Sequence, residues 1–287
     1  RSASGDRSSV VIDGEYLADG GQILAVVADG VTIADLTVMR SYYHPIHVFA
    51  SGGTADDALI YNVHIIDPGQ QAIKINGNGE RTVFTDNGVV ACSRLEMTAE
   101  GRDFVSSISS CYTGGVDAHS SRDWVVRDNV ITGFWCESGL SEHAVHFWSG
   151  SRGSLVERNH LINNGRGVGF GLTPGDDRTY TDGPCDGIAS ASHYDGIIRN
   201  NFISATDPDL FASSSGFDTG ISLWWACDAT VAHNTIASST PPFSSIEWRY
   251  EDTTAELVNN LATSAMFARD GATATESGNV DTAPPST

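Results

Sequence analysis

A short phrase recurs eight times along this chain: two apolar residues, two polar ones, then Asn or a close substitute, followed by more apolar residues. Successive copies lie 26 to 42 residues apart. The Asn position falls at Asp35, Asn62, Ser93, Asn129, Asn159, Asn201, Asn234 and Asn260. An irregular repeat of this length is typical of a solenoid, in which each unit packs only against its neighbours.

Each repeat predicts short strands. Val and Ile alternate with polar residues at period two, turn residues separate the apolar pairs, and no window shows convincing helical periodicity. Asn at one place per coil suits a left-handed turn, and stacked Asn side chains can bond along the column. We therefore expect an all-β, single-domain right-handed parallel β-helix of about 8–10 coils. The domain should span 1–280, with a Pro/Ser/Thr-rich tail at 281–287.

Charge and cysteine content limit the partners and the cellular compartment that we expect. The formal charge is −20, which disfavours nucleic acid and anionic membranes but permits an anionic polysaccharide beside a local basic patch. The five cysteines contain no CxxC, so a finger-type zinc site is not expected. Buried thiols and one or two disulfides both stay open. We expect a monomer that is secreted, periplasmic or at the cell surface.

A second strand follows each Asn position. Aligned by alternation, these strands place apolar side chains inwards at Ile46, Ile73, Val116, Val145, Val168, Ile221 and Ile246. The residues beside them should form an outward column of His47, Lys74, Asp117, His146, Gly169, Ser222 and Glu247. Two residues further on, a second outward column contains Phe49, Asn76, His119, Trp148, Gly171, Trp224 and Arg249.

This outward face is rich in titratable and aromatic groups, which predicts a binding or catalytic groove rather than a merely decorated surface. Its two glycines should leave a depression, and exposed Trp suits stacking on sugar rings. Substrate-binding candidates are His47, Asn76, His143, Trp148, Trp224 and Glu247. The segment 93–112 and the 42-residue step from Asn159 to Asn201 exceed the repeat, so they are expected to form the walls of a site.

These groups suit chemistry on a uronic acid polymer. Such chemistry needs a cation for the carboxylate, a base for the proton on C5, and an acid for the leaving oxygen or the opposite face. The face offers cations (Lys74, Arg249), histidines (His119, His146), a carboxylate to orient them (Asp117) and a phenol (Tyr112). We interpret these six residues as the catalytic candidates.

The segment Gly115-Val116-Asp117-Ala118-His119, followed by Trp124 to Asn129, resembles the region around the Asp-Pro-His motif of mannuronan C5-epimerases. Those enzymes are β-helical and are grouped with the pectate-lyase-like polysaccharide enzymes. The resemblance implies catalytic roles for Asp117 and His119, and for Lys74 one coil earlier. Ala118 replaces the proline, and Gly114 stands where the family places its tyrosine, so Tyr112 would have to substitute.

The function expected is therefore that of a lyase or C5-epimerase acting on an acidic polysaccharide. Two alternatives stay open: a glycan-binding or adhesive module without turnover, and a β-helix glycoside hydrolase whose carboxylates would be Asp117, Asp218 and Glu247.

No cofactor is required by this chemistry. Calcium is possible in the acidic loop at Asp176, Asp177, Asp182 and Asp186. Zinc or copper would need ligands from His47, His119, His143 and His146 with Asp117 or Glu142. The offset of three between His143 and His146 argues against that, because an odd offset puts two strand residues on opposite faces.

Overall fold

The structure, a computed structural model, describes residues 1–19, 21–174, 178–185, 188 and 191–282. It is a right-handed parallel β-helix, which confirms the predicted fold. Three long parallel sheets run along it, and successive coils add strands to each sheet in turn. We call them the site sheet, the ladder sheet and the back sheet.

The site sheet has nine strands, and its central strands are the longest. They are Leu24–Val26, Ile46–Phe49, Gln71–Asn76, Gly114–His119, His143–Trp148, Arg166–Phe170, Thr219–Trp224, Ser244–Arg249 and Met266–Arg269. The ladder sheet also has nine: Thr32–Ala34, Leu59–Tyr61, Val89–Ala91, Val125–Arg127, Leu155–Glu157, Ile197–Arg199, Ala229–Ala232, Thr254–Val258 and Thr273–Ser277.

The back sheet has ten strands. They are Val11–Asp13, Thr37–Met39, His64–Ile66, Arg94–Glu96, Val130–Thr132, His160–Ile162, Phe202–Ala205, Thr235–Ser238, Leu261–Ala262 and Val280–Asp281. A small fourth sheet joins Ser151–Arg152, His193–Tyr194 and Ala226–Cys227.

Inward side chains from all three long sheets fill one continuous core. Val38, Ile65, Val126, Ile131 and Phe147 have no exposed surface and belong to a single apolar cluster. Fully burying one such side chain contributes about 1.5–3 kcal/mol, and no coil can bury its inner face alone. The stack of coils therefore stabilises each of its members.

A column of buried Asn side chains runs beside the ladder sheet. Each Nδ2 donates to the Oδ1 of the next coil at 3.0 Å, through Asn129, Asn159, Asn201, Asn234, Asn260 and finally Asn279. These bonds confirm the predicted stacking. The assignment of the left-handed turn to the Asn itself is wrong, because an Asn that bonds both neighbouring coils points into the helix and leaves the corner to the residue before it.

That corner residue has positive φ, for example Asp128 at 58° and Arg158 at 54°. Asp35 and Asn62 themselves have φ of 57° and 49°, so they align with Cys92 rather than with the ladder. The first two positions of the predicted repeat are thus one residue early.

Short helices lie outside the strands, and one of them falls in the excursion at 93–112. They are a 3-10 turn at Arg7–Ser9 and α-helices at Ala99–Ile108 and Pro208–Ala212. The expectation that helices are lacking is wrong for Ala99–Ile108, which buries only Gly101 and Val105. Because the helix buries only two residues, its sequence shows almost no apolar periodicity.

Two disulfides pair Cys111 with Cys136 and Cys185 with Cys227, while Cys92 is free and exposed. This pairing favours the disulfide alternative over buried thiols, and disulfides persist in oxidising compartments. Within the described residues, no helix is both long and apolar enough to span a membrane. Of the tail predicted at 281–287, residues 283–287 lie outside the described residues, so the tail stays a prediction.

Candidate functional site

The site sheet has the register predicted from alternation. Lys74 pairs with Asp117, Asp117 with His146, and His146 with Gly169, and the column continues through Ser222 to Glu247. The prediction that this column forms an open face is wrong. All its members except His47 are buried, because side chains of adjacent coils and of the flanking segments cover one another.

Asp117 is the centre of the buried polar group and is 1 % exposed. Its Oδ2 accepts from the Lys74 ammonium and lies 3.2 Å from His119 Nε2, while its Oδ1 accepts a 2.9 Å hydrogen bond from Trp148 Nε1. Burial alone would raise the pKa of Asp117, but the charge of the Lys74 ammonium outweighs burial and holds that pKa well below its usual range. Asp117 is therefore a fixed anion.

Lys74 makes three contacts with its ammonium: the Asp117 carboxylate, His119 Nε2 at 2.7 Å and the Tyr112 hydroxyl at 3.3 Å. Burial works against its charge, yet Asp117 and Tyr112 raise the pKa of Lys74 above its ordinary value. An ammonium has three donors, so all are used here. Lys74 thus has no donor left for the carboxylate of a substrate in this conformation. We call Lys74, Tyr112, Asp117 and His119 the Asp117 cluster.

Tyr112 reaches the cluster from the excursion that precedes the strand Gly114–His119. The helix Ala99–Ile108 leads into it, and the disulfide of the adjacent Cys111 with Cys136 fixes its start. Burial raises the pKa of Tyr112, so the phenol keeps its proton at neutral pH. Because its oxygen accepts from Lys74, its own hydrogen is available to another acceptor.

A cavity of about 230 Å³ opens beside His119, whose side chain is 21 % exposed. Its lining includes Asn76, Asn78, Arg81 and Phe84. The sequence analysis missed Arg81 and Phe84, since they lie on the loop after Gln71–Asn76 and outside the aligned strands. Only the folded loop shows that Arg81 lines the same cavity as His119, so the sequence carried no signal for it.

The long excursion after Phe170 also reaches this region. Arg178 donates two hydrogen bonds to Asp86, at 2.6 and 2.8 Å, and a third of 3.1 Å to the carbonyl of Ser120. Its guanidinium lies 4.5 Å from the ring centre of Phe84. Ser120 directly follows His119, so this excursion lies against the edge of the site, where the sequence analysis expected a wall.

His143 and His146 both belong to the strand His143–Trp148 and both are wholly buried. Their ring centres are 4.5 Å apart, so the argument from the odd offset is wrong. Ala144 and Val145 both turn into the core, and this irregularity returns His146 to the side of His143. The depression expected at Gly169 is filled, because a Cβ there would lie 2.6 Å from the His143 ring.

Trp148 lies over the buried histidines. Its ring stacks on His146 with centres 5.6 Å apart and meets His119 edge-on at 4.2 Å. His47, at the other end, lies 2.7 Å from Asn76 Oδ1 through its Nε2, and burial lowers its pKa. The structure thus brings Trp148 to the Asp117 cluster. Asn76 lines the cavity, and His47 contacts Asn76.

Trp224, Glu247 and Arg249 form a separate group three to four strands further along, roughly 14–19 Å from the Asp117 cluster at the spacing of parallel strands. Trp224 Nε1 donates to Glu247 at 2.7 Å, and Arg249 is paired with Asp270. Arg249 therefore does not join Lys74. The carboxylates of Asp117 and Glu247 do not form the close pair that a hydrolase requires.

Of the calcium candidates, Asp182 forms an ion pair with Arg152 at 2.8 Å. Asp176, Asp177 and Asp186 lie outside the described residues, so the calcium site stays a prediction.

No family model and no curated protein matches this chain. Solved structures do match it in fold. An alginate lyase from a Paenibacillus species has a TM-score of 0.50 and 13% identity, over 88% of this chain and 79% of that one. A surface adhesin of Streptococcus pneumoniae has a TM-score of 0.51 and 12% identity, over 94% and 68%.

A tailspike protein of an Escherichia coli bacteriophage, solved with a pentasaccharide, has a TM-score of 0.54 and 15% identity. The match covers 94% of this chain but 47% of the tailspike. At these identities the similarity establishes the architecture alone, which is a right-handed parallel β-helix. The chain is therefore a parallel β-helix protein with a Lys–Asp–His–Tyr group beside a cavity.

Proposed function

We propose that this chain acts on a uronate-containing polysaccharide by removing the proton on C5, as a lyase or a C5-epimerase. The observation that carries the proposal is the convergence of Tyr112, Lys74 and His119 around the fixed anion Asp117. It combines a neutral acid, a cation and an imidazole beside a cavity with a second cation, Arg81. These are the groups that proton abstraction next to a carboxylate needs.

In the proposed reaction, the substrate occupies the cavity and Arg81 binds its carboxylate. His119 removes the C5 proton, since it is the exposed imidazole of the cluster and its Nε2 accepts from Lys74 in the free protein. The contact with Lys74 must loosen for the lone pair to reach the substrate, and catalytic hydrogen bonds commonly rearrange on binding. The Lys74 charge stabilises the enolate, and Asp117 holds Lys74 in place.

Tyr112 supplies the second proton. Delivered to the leaving oxygen, it completes an elimination; delivered to the opposite face of C5, it completes an epimerisation. The contact between Tyr112 and Lys74 supports the idea that Tyr112 substitutes for the tyrosine of the epimerase motif. The two disulfides support a secreted or cell-surface location, where such polymers occur.

The test is incubation of the purified protein with alginate, pectate, glucuronan and glycosaminoglycans. Unsaturated chain ends indicate a lyase, and inversion at C5 seen by NMR indicates an epimerase. The variant His119→Gln should abolish either product, whereas His233→Gln, which alters an exposed histidine, should not. Binding of a polymer with neither product would instead favour the glycan-binding alternative, in which Lys74→Ala and His119→Ala leave binding intact.

A further inference from the structure

Glu142, His143 and His146 form a second polar group beside the Asp117 cluster. Among the described residues, Glu142 Oε2, His143 Nδ1 and His146 Nδ1 are buried without a hydrogen-bond partner. One ligand atom from each residue lies within 4.8 Å of the other two. Each buried polar atom left unpaired costs about 1–3 kcal/mol, so three of them on neighbouring side chains require an explanation.

The hydrogen bonds of the other ring nitrogens define what these three atoms offer. His146 Nε2 lies 3.1 Å from the carbonyl oxygen of Gly171, which only accepts, so Nε2 carries the hydrogen. The tautomer that this bond selects has its lone pair on Nδ1, which is 3.1 Å from Glu142 Oε2 and not aligned with it for a hydrogen bond. Two acceptors at that distance repel unless a cation lies between them.

His143 is also held through Nε2, and the Ser222 hydroxyl can accept from that nitrogen and leave the lone pair on Nδ1. Its Nε2 lies 2.7 Å from the hydroxyl of Ser222, and its ring occupies the space that a side chain at position 169 would fill. Each imidazole is therefore fixed through Nε2 by a neighbouring strand or loop. Outer hydrogen bonds of this kind orient histidines that ligate metals.

We propose that Glu142 Oε2, His143 Nδ1 and His146 Nδ1 bind one divalent transition-metal ion of the zinc class. Two imidazoles and a carboxylate are a zinc ligand set with one position left open. Ligands at zinc distances in a tetrahedron are about 3.3 Å apart, close to the 3.1 Å between His146 and Glu142. The third ligand atom lies within 4.8 Å of the other two.

Neighbouring charges permit a cation here. Arg166 lies 3.5 Å from Glu142 Oε2, but its Nε is held at 2.8 Å by the carbonyl of Ser141. The Asp117 carboxylate lies 3.8 Å from His146 Nδ1, although Lys74 balances its charge. Glu142 would therefore supply the negative charge of the site.

The experiment is a titration of the chelator-treated full chain with Co²⁺ and Zn²⁺, followed by calorimetry and by the visible absorption of bound Co²⁺. We expect one equivalent to bind, with the intense visible bands of four-coordinate Co²⁺. Glu142→Gln and His143→Gln should each weaken binding at least tenfold, and His233→Gln should leave it unchanged. Circular dichroism checks that each variant is folded, and Glu142, which is 19 % exposed, is the safer substitution.

The proposal is overturned if the wild-type chain binds no stoichiometric metal, or if Glu142→Gln binds it as tightly as the wild type does. It is also overturned if His233→Gln removes the binding, since the ion would then be held by surface imidazoles. In the first case, a protonated His146 paired with Glu142 takes the place of the metal. Because the readout is metal binding, it is independent of any turnover on a polysaccharide.

Discussion

The ammonium nitrogen of Lys74 lies 2.7 Å from Nε2 of His119, in a contact where only one of the two can supply the proton. The Asp117 carboxylate, which contacts the same ammonium, keeps the proton on Lys74, because it raises the pKa of Lys74 against the effect of burial. Lys74 is therefore the donor in this contact, and His119 accepts through Nε2. The strand register, which places Lys74 beside Asp117, thus sets the direction of the hydrogen bond to the proposed base.

Removing Lys74 should destabilise the fold as well as stop turnover. In Lys74→Met the buried Asp117 carboxylate loses its countercharge, and breaking one side of a buried pair costs about 3–5 kcal/mol. Urea unfolding measures this loss. The matched control is Arg94→Met, which removes a partly exposed ion pair with Glu96 and should cost within about 1 kcal/mol. Equal losses for both variants would contradict the role given to the buried pair.

Tyr112→Phe should separate chemistry from folding. The variant keeps the ring but removes the proton donor, so turnover on an active polymer should fall by about 10²–10⁴ while the melting temperature hardly changes. Tyr61→Phe, at a tyrosine that is 43 % exposed, is the control and should retain full turnover. Undiminished turnover in Tyr112→Phe would exclude this phenol as the acid.

Substitutions in the Asn ladder should lower the free energy of unfolding most at its buried centre. Asn201 accepts from the backbone and side chain of Asn159 and donates to Asn234, so Asn201→Ala leaves several buried groups unpaired. We expect a loss of at least about 2 kcal/mol in the free energy of unfolding. Asn279→Ala, at the half-buried end of the column, should cost less. A larger loss at Asn279 would argue that the ladder contributes little.

Acid should destabilise the protein through His193. This imidazole is buried, which lowers its pKa to about 3, and it stacks on Phe170 with ring centres 4.0 Å apart. Between pH 3 and its unfolded value of about 6.5, the unfolded chain binds more protons, so stability falls as the pH falls.

The loss attributable to His193 between pH 7 and pH 5 is about 2 kcal/mol. Denaturant unfolding across this range measures the slope. His193→Gln should flatten it, and the exposed His233→Gln should leave it as it is. A slope that does not respond to His193→Gln would show that other groups govern acid unfolding.

Much of the site sheet could be predicted because strand alternation alone fixes its register, and Lys74 beside Asp117 follows from it directly. What could not be predicted came from segments outside the repeat. The helix Ala99–Ile108 has almost no apolar periodicity, and Arg81 lies on a loop whose path the repeat does not define. Tyr112, which follows that helix, was itself among the predicted candidates. The odd offset predicts that His143 and His146 lie on opposite faces of their strand. They lie on the same face, because Ala144 and Val145 between them both turn into the core.

The most direct test of the proposed chemistry follows the C5 hydrogen itself. A polymer from the active panel, labelled with deuterium at C5, is incubated with the protein in ordinary water, and release of the label is measured by mass spectrometry. Removal of the C5 proton predicts release of the label by the wild type, whether it is a lyase or an epimerase, and little or none by His119→Gln. Chain cleavage with the C5 label fully retained would contradict it and favour a hydrolase.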